Sequence, residues 1–465
     1  TFQENSTFSH TSTPEPNNRL SVTQVLVSNT RVHTVTLQEG FLTGGSVTLN
    51  YSDHYLNENA PTDVLNPSSA TSLGLSFQHN LLRGFGVAVN ARTINVAKIN
   101  LGMTDLNFKT QVVGTVANVL NAYYTLAADV EDTRAKRQAS DVARRFLEIT
   151  RRQVEVGSLA PLDAMTAESQ YAASEKDAIL SETSQQQDEL RLKLLLSRNG
   201  LSDPLLASAR IVPVDRIVIP EEERIEPMPE LVKRAITNRS DLAAEKESIR
   251  ATEVSNLGTR NGVLPLAVAI GGTSQSGLSG KPVPAIGEPP ADPYFIGGID
   301  TALGQTFRRN FPTQRIGIFL QAPLYNRQAQ ADEAIDQIEL RQQQLQTAKD
   351  YNQLQVDLQN AVVALQQARA RYDAAMRNRN LQQQLLDAEQ RKFNLETSTP
   401  YNVIQQQRDL VNAQSSVLAA QVAYSQARIS LDQTLGTTLD SNGISLGEVK
   451  AGKISRRSTP VSPAP

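Results

Sequence analysis

Between Arg327 and Thr399 the chain contains neither proline nor glycine. Within that stretch large side chains return every seven residues: Tyr351, Leu358, Leu365 and Tyr372, then Leu386 and Phe393 after a break at Arg379. Small residues follow three positions behind, at Ala361, Ala368 and Ala375. A seven-residue period with one large and one small row is a coiled-coil seam. The pattern stops at Thr399-Pro400, where the residue before proline leaves the α region and proline suits the first turn of a new helix. A second row, Val403, Leu410, Val417, Tyr424 and Leu431, then runs to Gly436, a residue suited to a helix C-cap. Residues 327–436 are predicted to form a helical hairpin with its tip at about 395–400.

The same hairpin occurs earlier. Residues 108–196 lie over 347–435 without a gap, an offset of 239. Ala122 falls on Ala361, Leu126 on Leu365, Pro161 on Pro400 and Leu192 on Leu431. The tip Val154-Glu155-Val156-Gly157-Ser158 falls on Phe393-Asn394-Leu395-Glu396-Thr397. A period this long means two copies of a large unit, not a short solenoid repeat.

Strand-like text precedes each hairpin. Val47, Leu49 and Tyr51 alternate with Ser46, Thr48 and Asn50, and Leu73, Leu75 and Phe77 alternate with Gly74, Ser76 and Gln78. In the second half Ile316, Ile318 and Leu320 alternate with Gly317, Phe319 and Gln321. The first repeat is placed at 1–199, with irregular chain over 1–19, strands within about 20–82 and the hairpin at about 88–199. An extended connector covers 200–228. The second repeat, 229–436, has a helix at 229–260, strands at about 263–275 and 313–324, and the hairpin at 327–436. Residues 56–70 and 276–312 read as loops, and 437–465 as a disordered tail.

Several functions are excluded by composition. Cysteine is absent, so there is no thiol catalysis, disulfide or cysteine metal site. The net charge of −3 gives no basic field for nucleic acid. His10, His33, His54 and His79 have no ligand partners at helical spacing. No nucleophile–base–orienter set is present, so neither an enzyme nor a cofactor is expected. Glu221-Glu222-Glu223 reads as a solvated edge. No apolar run approaches the ~18 residues of a spanning helix, so a membrane would have to be crossed by a β-barrel.

Four strands cannot close a barrel, and an open sheet edge does not survive in lipid. Three copies would supply twelve strands, an even number in the range of outer-membrane barrels. Leu73, Leu75, Phe77, Ile316, Ile318 and Leu320 are then the lipid-facing set. The fold class is an α+β membrane protein: long coiled-coil hairpins with four strands per chain in a shared barrel. At 1.5 Å per residue each outgoing helix spans roughly 100 Å and each return arm only ~55–60 Å. The 229–260 helix fills the difference in the second repeat, and a matching helix is expected upstream of Thr1.

The chain resembles the TolC-like outer-membrane efflux proteins. The matching text is Leu75-Ser76-Phe77-Gln78-His79-Asn80-Leu81-Leu82-Arg83-Gly84 and Val154-Glu155-Val156-Gly157, with Asp163 six residues on. In the second half it is Asn238-Arg239-Ser240-Asp241-Leu242, Pro323-Leu324-Tyr325-Asn326 and Lys392-Phe393-Asn394-Leu395. The resemblance implies a homotrimeric exit duct in the outer membrane of a Gram-negative cell, with its helices in the periplasm. Its partners would be a periplasmic adaptor and an inner-membrane transporter of a tripartite efflux or type I secretion system. It places adaptor docking at the tips, Val156, Gly157, Ser158, Leu395, Glu396 and Thr397. It places the pore gate at Asp163 and at Asn402 and Gln405, which stand where relatives carry paired carboxylates. The competing reading is a periplasmic adaptor or a soluble coiled-coil scaffold, neither of which calls for duplicated hairpins joined to two-faced strands.

Overall fold

A computed structural model describes the chain except for residues 17–20, 22, 198–201, 216, 286, 396 and 454–465. It divides into two compact units, Thr1–Leu101 with Ser248–Gln344, and Gly102–Glu247 with Leu345–Pro465.

The first unit is built on one antiparallel sheet. Its strands are β1 (Phe2–Pro14), β2 (Val25–Gly40), β3 (Gly45–Glu58), β4 (Leu65–Asn80), β5 (Leu266–Pro282) and β6 (Phe311–Gln321), side by side in chain order. Six strands therefore stand where four were expected. The expectation failed at the Ser/Thr/Asn/Gly-rich text. Residues 2–14 were read as irregular, yet they pair with β2 from Phe2↔Leu37 to Pro14↔Val25. The predicted loop at 56–70 shrinks to the turn between Glu58 and Leu65, and β5 runs on to Pro282. Small polar residues signal loops when a strand must bury one face in a protein core. They do not when main-chain pairing, not apolar burial, holds the strand in place.

Short helices complete this unit. α1 (Val87–Asn90) precedes the long helix α2 (Arg92–Glu155). The second unit contains the rest of α2, then α3 (Pro161–Leu196), α4 (Pro204–Ser208) and α5 (Met228–Asn238), with α6 (Ser240–Gly262) shared between the units. In the first unit α7 (Ile299–Phe307) packs on β4 and β5, where the Thr71 and Thr306 hydroxyls meet at 2.8 Å. α8 (Arg327–Asn394), α9 (Pro400–Leu435), α10 (Thr438–Ser441) and α11 (Leu446–Ala451) follow. Among the described residues no helix is long and apolar enough to cross a membrane.

The heptad rows are the buried rows. Leu358, Leu365, Leu386, Ala361 and Ala368 are buried on α8, as are Leu410, Val417, Tyr424 and Leu431 on α9. The duplication holds in three dimensions. Ala122, Leu126 and Leu192 form one core cluster, and their counterparts Ala361, Leu365 and Leu431 lie together in another. In that second cluster Leu231 and Ala235 of α5 and Leu242 of α6 fill the space beside α8. The helix expected at 229–260 is broken at Arg239, whose guanidinium pairs with the Asp241 carboxylate. Gly436 explains the close fit at this break. It ends α9 at φ 72°, and a Cβ there would stand 2.9 Å from the Arg239 backbone nitrogen.

Two expectations about polar segments are corrected. The segment after Gly436 is not a bare tail: α10 buries Thr438 and Leu439, and Lys450 of α11 pairs with Asp105 at 2.7 Å. Glu223 is not a solvated edge. It accepts hydrogen bonds from the Tyr424 hydroxyl and, at 3.1 Å, from Arg428 Nη1. Burial and that carboxylate push the Tyr424 hydroxyl up to about 12. Arg369 donates to the carbonyls of Pro220 and Glu221, so the connector is fastened to the α8–α9 hairpin at both ends of the acidic run.

Polar nodes tie the helices of the second unit. Asp132 on α2 accepts from Lys136 and from Ser181 on α3, both at 2.7 Å, and from Ser415 on α9. One carboxylate thus joins three helices, and these hydrogen bonds hold it below the usual carboxylate range against the opposing effect of burial. One turn away Asp129 is in the opposite situation. Burial, then a hydrogen bond shared with Asp188, pushes it up to about 7.

Asp132→Ala is expected to lower unfolding stability by about 2–3 kcal/mol, because it strands three donors of one charged acceptor. Glu131→Ala, which removes an exposed pair with Arg134, should change it by less than about 1 kcal/mol. Denaturant unfolding of the two variants side by side checks the contrast. The Asp129 pair gives a pH dependence. The folded pair keeps a proton that an unfolded aspartate loses near 3.8. Stability is therefore lost as pH rises from about 4 through about 7. Asp129→Asn should flatten that slope and raise the melting temperature at pH 8 more than at pH 5.

Candidate functional site

In the first unit the site is the sheet itself. Residues facing each other across an antiparallel pair share a face. The register Leu49↔Leu75, Leu75↔Thr273, Gly271↔Ile316, Ala269↔Ile318 and Ala267↔Leu320 puts all six predicted lipid-facing residues on one side. Ile316, Ile318 and Leu320 are 94%, 76% and 67% exposed, and Leu75 and Phe77 are also open, while Leu73 is half-buried. Contiguous aliphatics this open mark a surface made for an apolar partner or lipid. The opposite face is polar. A cleft there is lined by Gln38, Thr48, Asn50, Ser76, Ser274 and Arg315.

Sequence reasoning missed that the two strands before β3 continue both faces. Leu37 lies opposite Leu49 and Phe2 opposite Leu37 on the apolar side. On the polar side Ser9 meets Thr30 at 3.0 Å, and Asn50 Nδ2 donates to Thr36 Oγ1 at 2.9 Å. The two-residue period was present in Thr30–Leu37, but with Arg31 and His33 on the apolar side it lacked contrast.

In the second unit the site is the pair of hairpin tips. At the first tip Gly157 has φ 78°, its N–H bonds the Val154 carbonyl at 3.0 Å, and the Ser158 N–H bonds Gln153 at 2.8 Å. These are the two bonds of a Schellman motif with glycine in the left-handed position. Val156 is 76% exposed at its apex. At the second tip the Thr397 N–H bonds Lys392 at 2.9 Å, the counterpart of the Ser158 bond, and Leu395 is 74% exposed. Glu396 lies outside the described residues.

The two tips meet. A cavity of about 180 Å³ is lined by Phe146, Leu159 and Asp163 from the first hairpin and by Thr399, Tyr401 and Ile404 from the second. Asp163 has a structural task there. Its Oδ2 accepts the Ala160 N–H at 3.0 Å, capping α3 at the proline start that the sequence predicts. Asn402 and Gln405 do not line this cavity. Asn402 Nδ2 donates to Ser398 Oγ at 3.4 Å, and Gln405 Nε2 donates to Asp409 Oδ1 at 3.2 Å. The second tip is therefore less neutral than its two amides suggest. Asp409 stands one turn from Gln405. Glu389, kept below the usual carboxylate range by the Ser398 hydroxyl and by Lys392, stands beside Asn402. The i,i+4 spacing of Gln405 and Asp409 was the available signal. Among the described residues no group of three His, Asp or Glu side chains is placed to hold a metal.

Comparison with known proteins follows the geometry. The sequence model of the family described as "Outer membrane efflux protein" matches residues 46–198, about a third of the chain. No curated protein sequence matches it. Solved structures share the fold. The CmeC outer membrane channel of Campylobacter jejuni superposes with a TM-score of 0.65 at 12% identity, over 94% of this chain and 78% of its own. The outer membrane protein VceC of Vibrio cholerae does so with 0.63 at 15%, over 85% and 87%. The MtrE outer membrane channel of Neisseria gonorrhoeae, in its open state, gives 0.52 at 16%, over 88% and 80%. Two of the three are described as outer membrane channels. The family match over the first repeat and the shared fold over nearly the whole length make the chain similar to the outer membrane efflux proteins.

Proposed function

We propose that the chain is the exit duct of a tripartite efflux or type I secretion system. It assembles as a homotrimer, stands with its sheet in the outer membrane and its helices in the periplasm, and passively conducts what an inner-membrane transporter and a periplasmic adaptor deliver. The observation that carries this reading is the sheet. One face exposes Ile316, Ile318 and Leu320 and the other is polar, and the helical hairpins are duplicated. A sheet of that kind leaves unpaired edges that lipid does not tolerate, so several copies must close it. The native protein should therefore fractionate with the outer membrane as a detergent-resistant trimer. A monodisperse monomer with full strand content in detergent would sink the proposal.

The exposed tips are assigned to adaptor docking, with Val156, Gly157 and Ser158 on one hairpin and Leu395 and Thr397 on the other. A Cβ at Gly157 meets nothing within 4 Å, so a substitution there perturbs the backbone alone. Gly157→Ala is expected to cost about 1–2 kcal/mol locally and to weaken adaptor capture in detergent without lowering trimer yield. Intact capture by that variant would take Gly157 out of the docking surface.

Asp163, Asn402 and Gln405 are assigned to the inner mouth. Asp163→Asn keeps a capping acceptor and removes three charges per trimer, so it should lower the cation preference of the channel. Asn402→Asp adds three and should raise it. Both changes should be larger at 0.1 M salt, where the Debye length is about 10 Å, than at 1 M, where it is about 3 Å. Reversal potentials in planar bilayers decide: no change in either variant would mean that these positions do not line the pore.

A further inference from the structure

The sheet has six strands, and its two edges are β1 and β6. We infer that all six enter the wall of the barrel, with β1 of one copy pairing antiparallel to β6 of the next, so that three copies enclose eighteen strands. This rests on the trimeric duct proposed above and goes beyond it by naming the intersubunit seam and the width of the pore.

Three observations carry the inference. First, the N-terminal hairpin is not an appendage. β2 pairs with β3 from Ser28↔Glu58 to Gly40↔Ser46 in thirteen consecutive pairs. Leaving β1 and β2 out of the wall would require that ladder to open. Second, both faces continue through it. The polar face carries Gln3, Asn5, Thr7 and Ser9 on β1, and the Ser9–Thr30 and Thr36–Asn50 hydrogen bonds link β1 to β2 and β2 to β3. The outer face carries Phe2 and Phe8 on β1, 68% and 72% exposed, Phe2 opposite Leu37 and Phe8 opposite Arg31 on β2. Glu4 on β1 and Arg31 and His33 on β2 are the residues of that face least suited to lipid. Third, the parity is right. In an antiparallel sheet of six, the first and last strands run in opposite directions, so β6 of one copy meets β1 of the next in the antiparallel sense. β1 spans 13 residues and β6 spans 11, so the two edges can satisfy each other nearly end to end. Lipid leaves such edges no other partner for their N–H and C=O groups.

The consequence is a wide mouth. With strands about 4.8 Å apart and tilted about 40°, eighteen strands give a backbone-to-backbone diameter of about 36 Å, against about 24 Å for twelve. The cross-section is then roughly twice as large. A duct of that width in the outer membrane suits bulky or polymeric polar cargo, with selection left to the helical tips.

Cysteine pairs test the seam, and the chain has no native cysteine to confuse them. Asn5, Thr7 and Ser9 on β1 would each be combined with Thr313, Arg315 or Gly317 on β6, all on the polar face, in the full-length protein in outer membranes. Oxidation should give covalent trimers for the combinations that match one register. Thr48 or Asn50 on β3, combined with the same β6 positions, should give none. Trimers linked through β3, or trimeric protein with no β1–β6 product in any combination, would overturn the inference and leave a twelve-stranded wall. Cryo-electron microscopy of the unsubstituted trimer gives an independent answer, with eighteen strands expected and twelve overturning it. Absence of any trimer would instead overturn the proposed function, so the two failures are distinguishable.

Discussion

Ile316, Ile318 and Leu320 stand on the last strand of the sheet with two-thirds or more of their surfaces open. No core covers them, and the sheet is stable only if something apolar does. Lipid meets that need and adds a stricter one: every main-chain N–H and C=O in the hydrocarbon must be bonded within the protein. A single six-stranded sheet cannot comply, because β1 and β6 each leave a row of groups unpaired. Under the proposed function, association between copies is therefore a condition of the fold and not a later event. The polar face follows from the same constraint. Once the wall closes, it lines water, and the small hydroxyl and amide side chains of β1 to β4 bond across it.

The helical unit solves a different problem. Its rows of Leu, Val and Ala bury themselves against one another, and the resulting seams are largely apolar. Such seams specify register weakly, and buried polar groups are a known device for fixing it. Asp132 has that position here, joining α2 to Ser181 and Ser415 on two other helices. Glu223 has it at the connector, between Tyr424 and Arg428. Asp129 stands near Asp188 in a further such node, where partial burial and the neighbouring carboxyl push it up.

What was legible in the sequence divides along this line. The helices were read nearly residue by residue, because seven-residue apolar rows report packing directly and Pro161, Pro400 and Gly436 mark their ends. The strands were read only where aliphatics alternate with small polar residues, as at Leu73–Phe77 and Ile316–Leu320. β1 escaped because its pairing owes little to apolar side chains, and the far end of β5 escaped because Gly277 and Gly280 imitate a loop. The side-chain partners of Asp163, Asn402 and Gln405 were not legible. Asp163 caps its own helix, and Glu389 and Asp409 stand near amides that looked isolated. Side-chain contacts between two hairpins 239 residues apart leave no periodic trace in a single sequence.

The duplication itself is unequal, and the inequality has a physical sense. The two hairpins share core positions at Ala122, Leu126 and Leu192 and their counterparts Ala361, Leu365 and Leu431, yet among the described residues four strands precede the first and two precede the second. Helical seams in a repeated bundle must keep their spacing, because a shift of one residue rotates a row by about 100° out of the core. An antiparallel wall has no such demand along its circumference. It tolerates any change that keeps the strand number even, since only then do its ends meet antiparallel when the wall closes. An added hairpin is the smallest such change, and β1 with β2 is a hairpin whose two faces agree with those of its neighbours. The part of the molecule held by packing has therefore kept its symmetry, and the part held by main-chain pairing has been free to widen in steps of two strands.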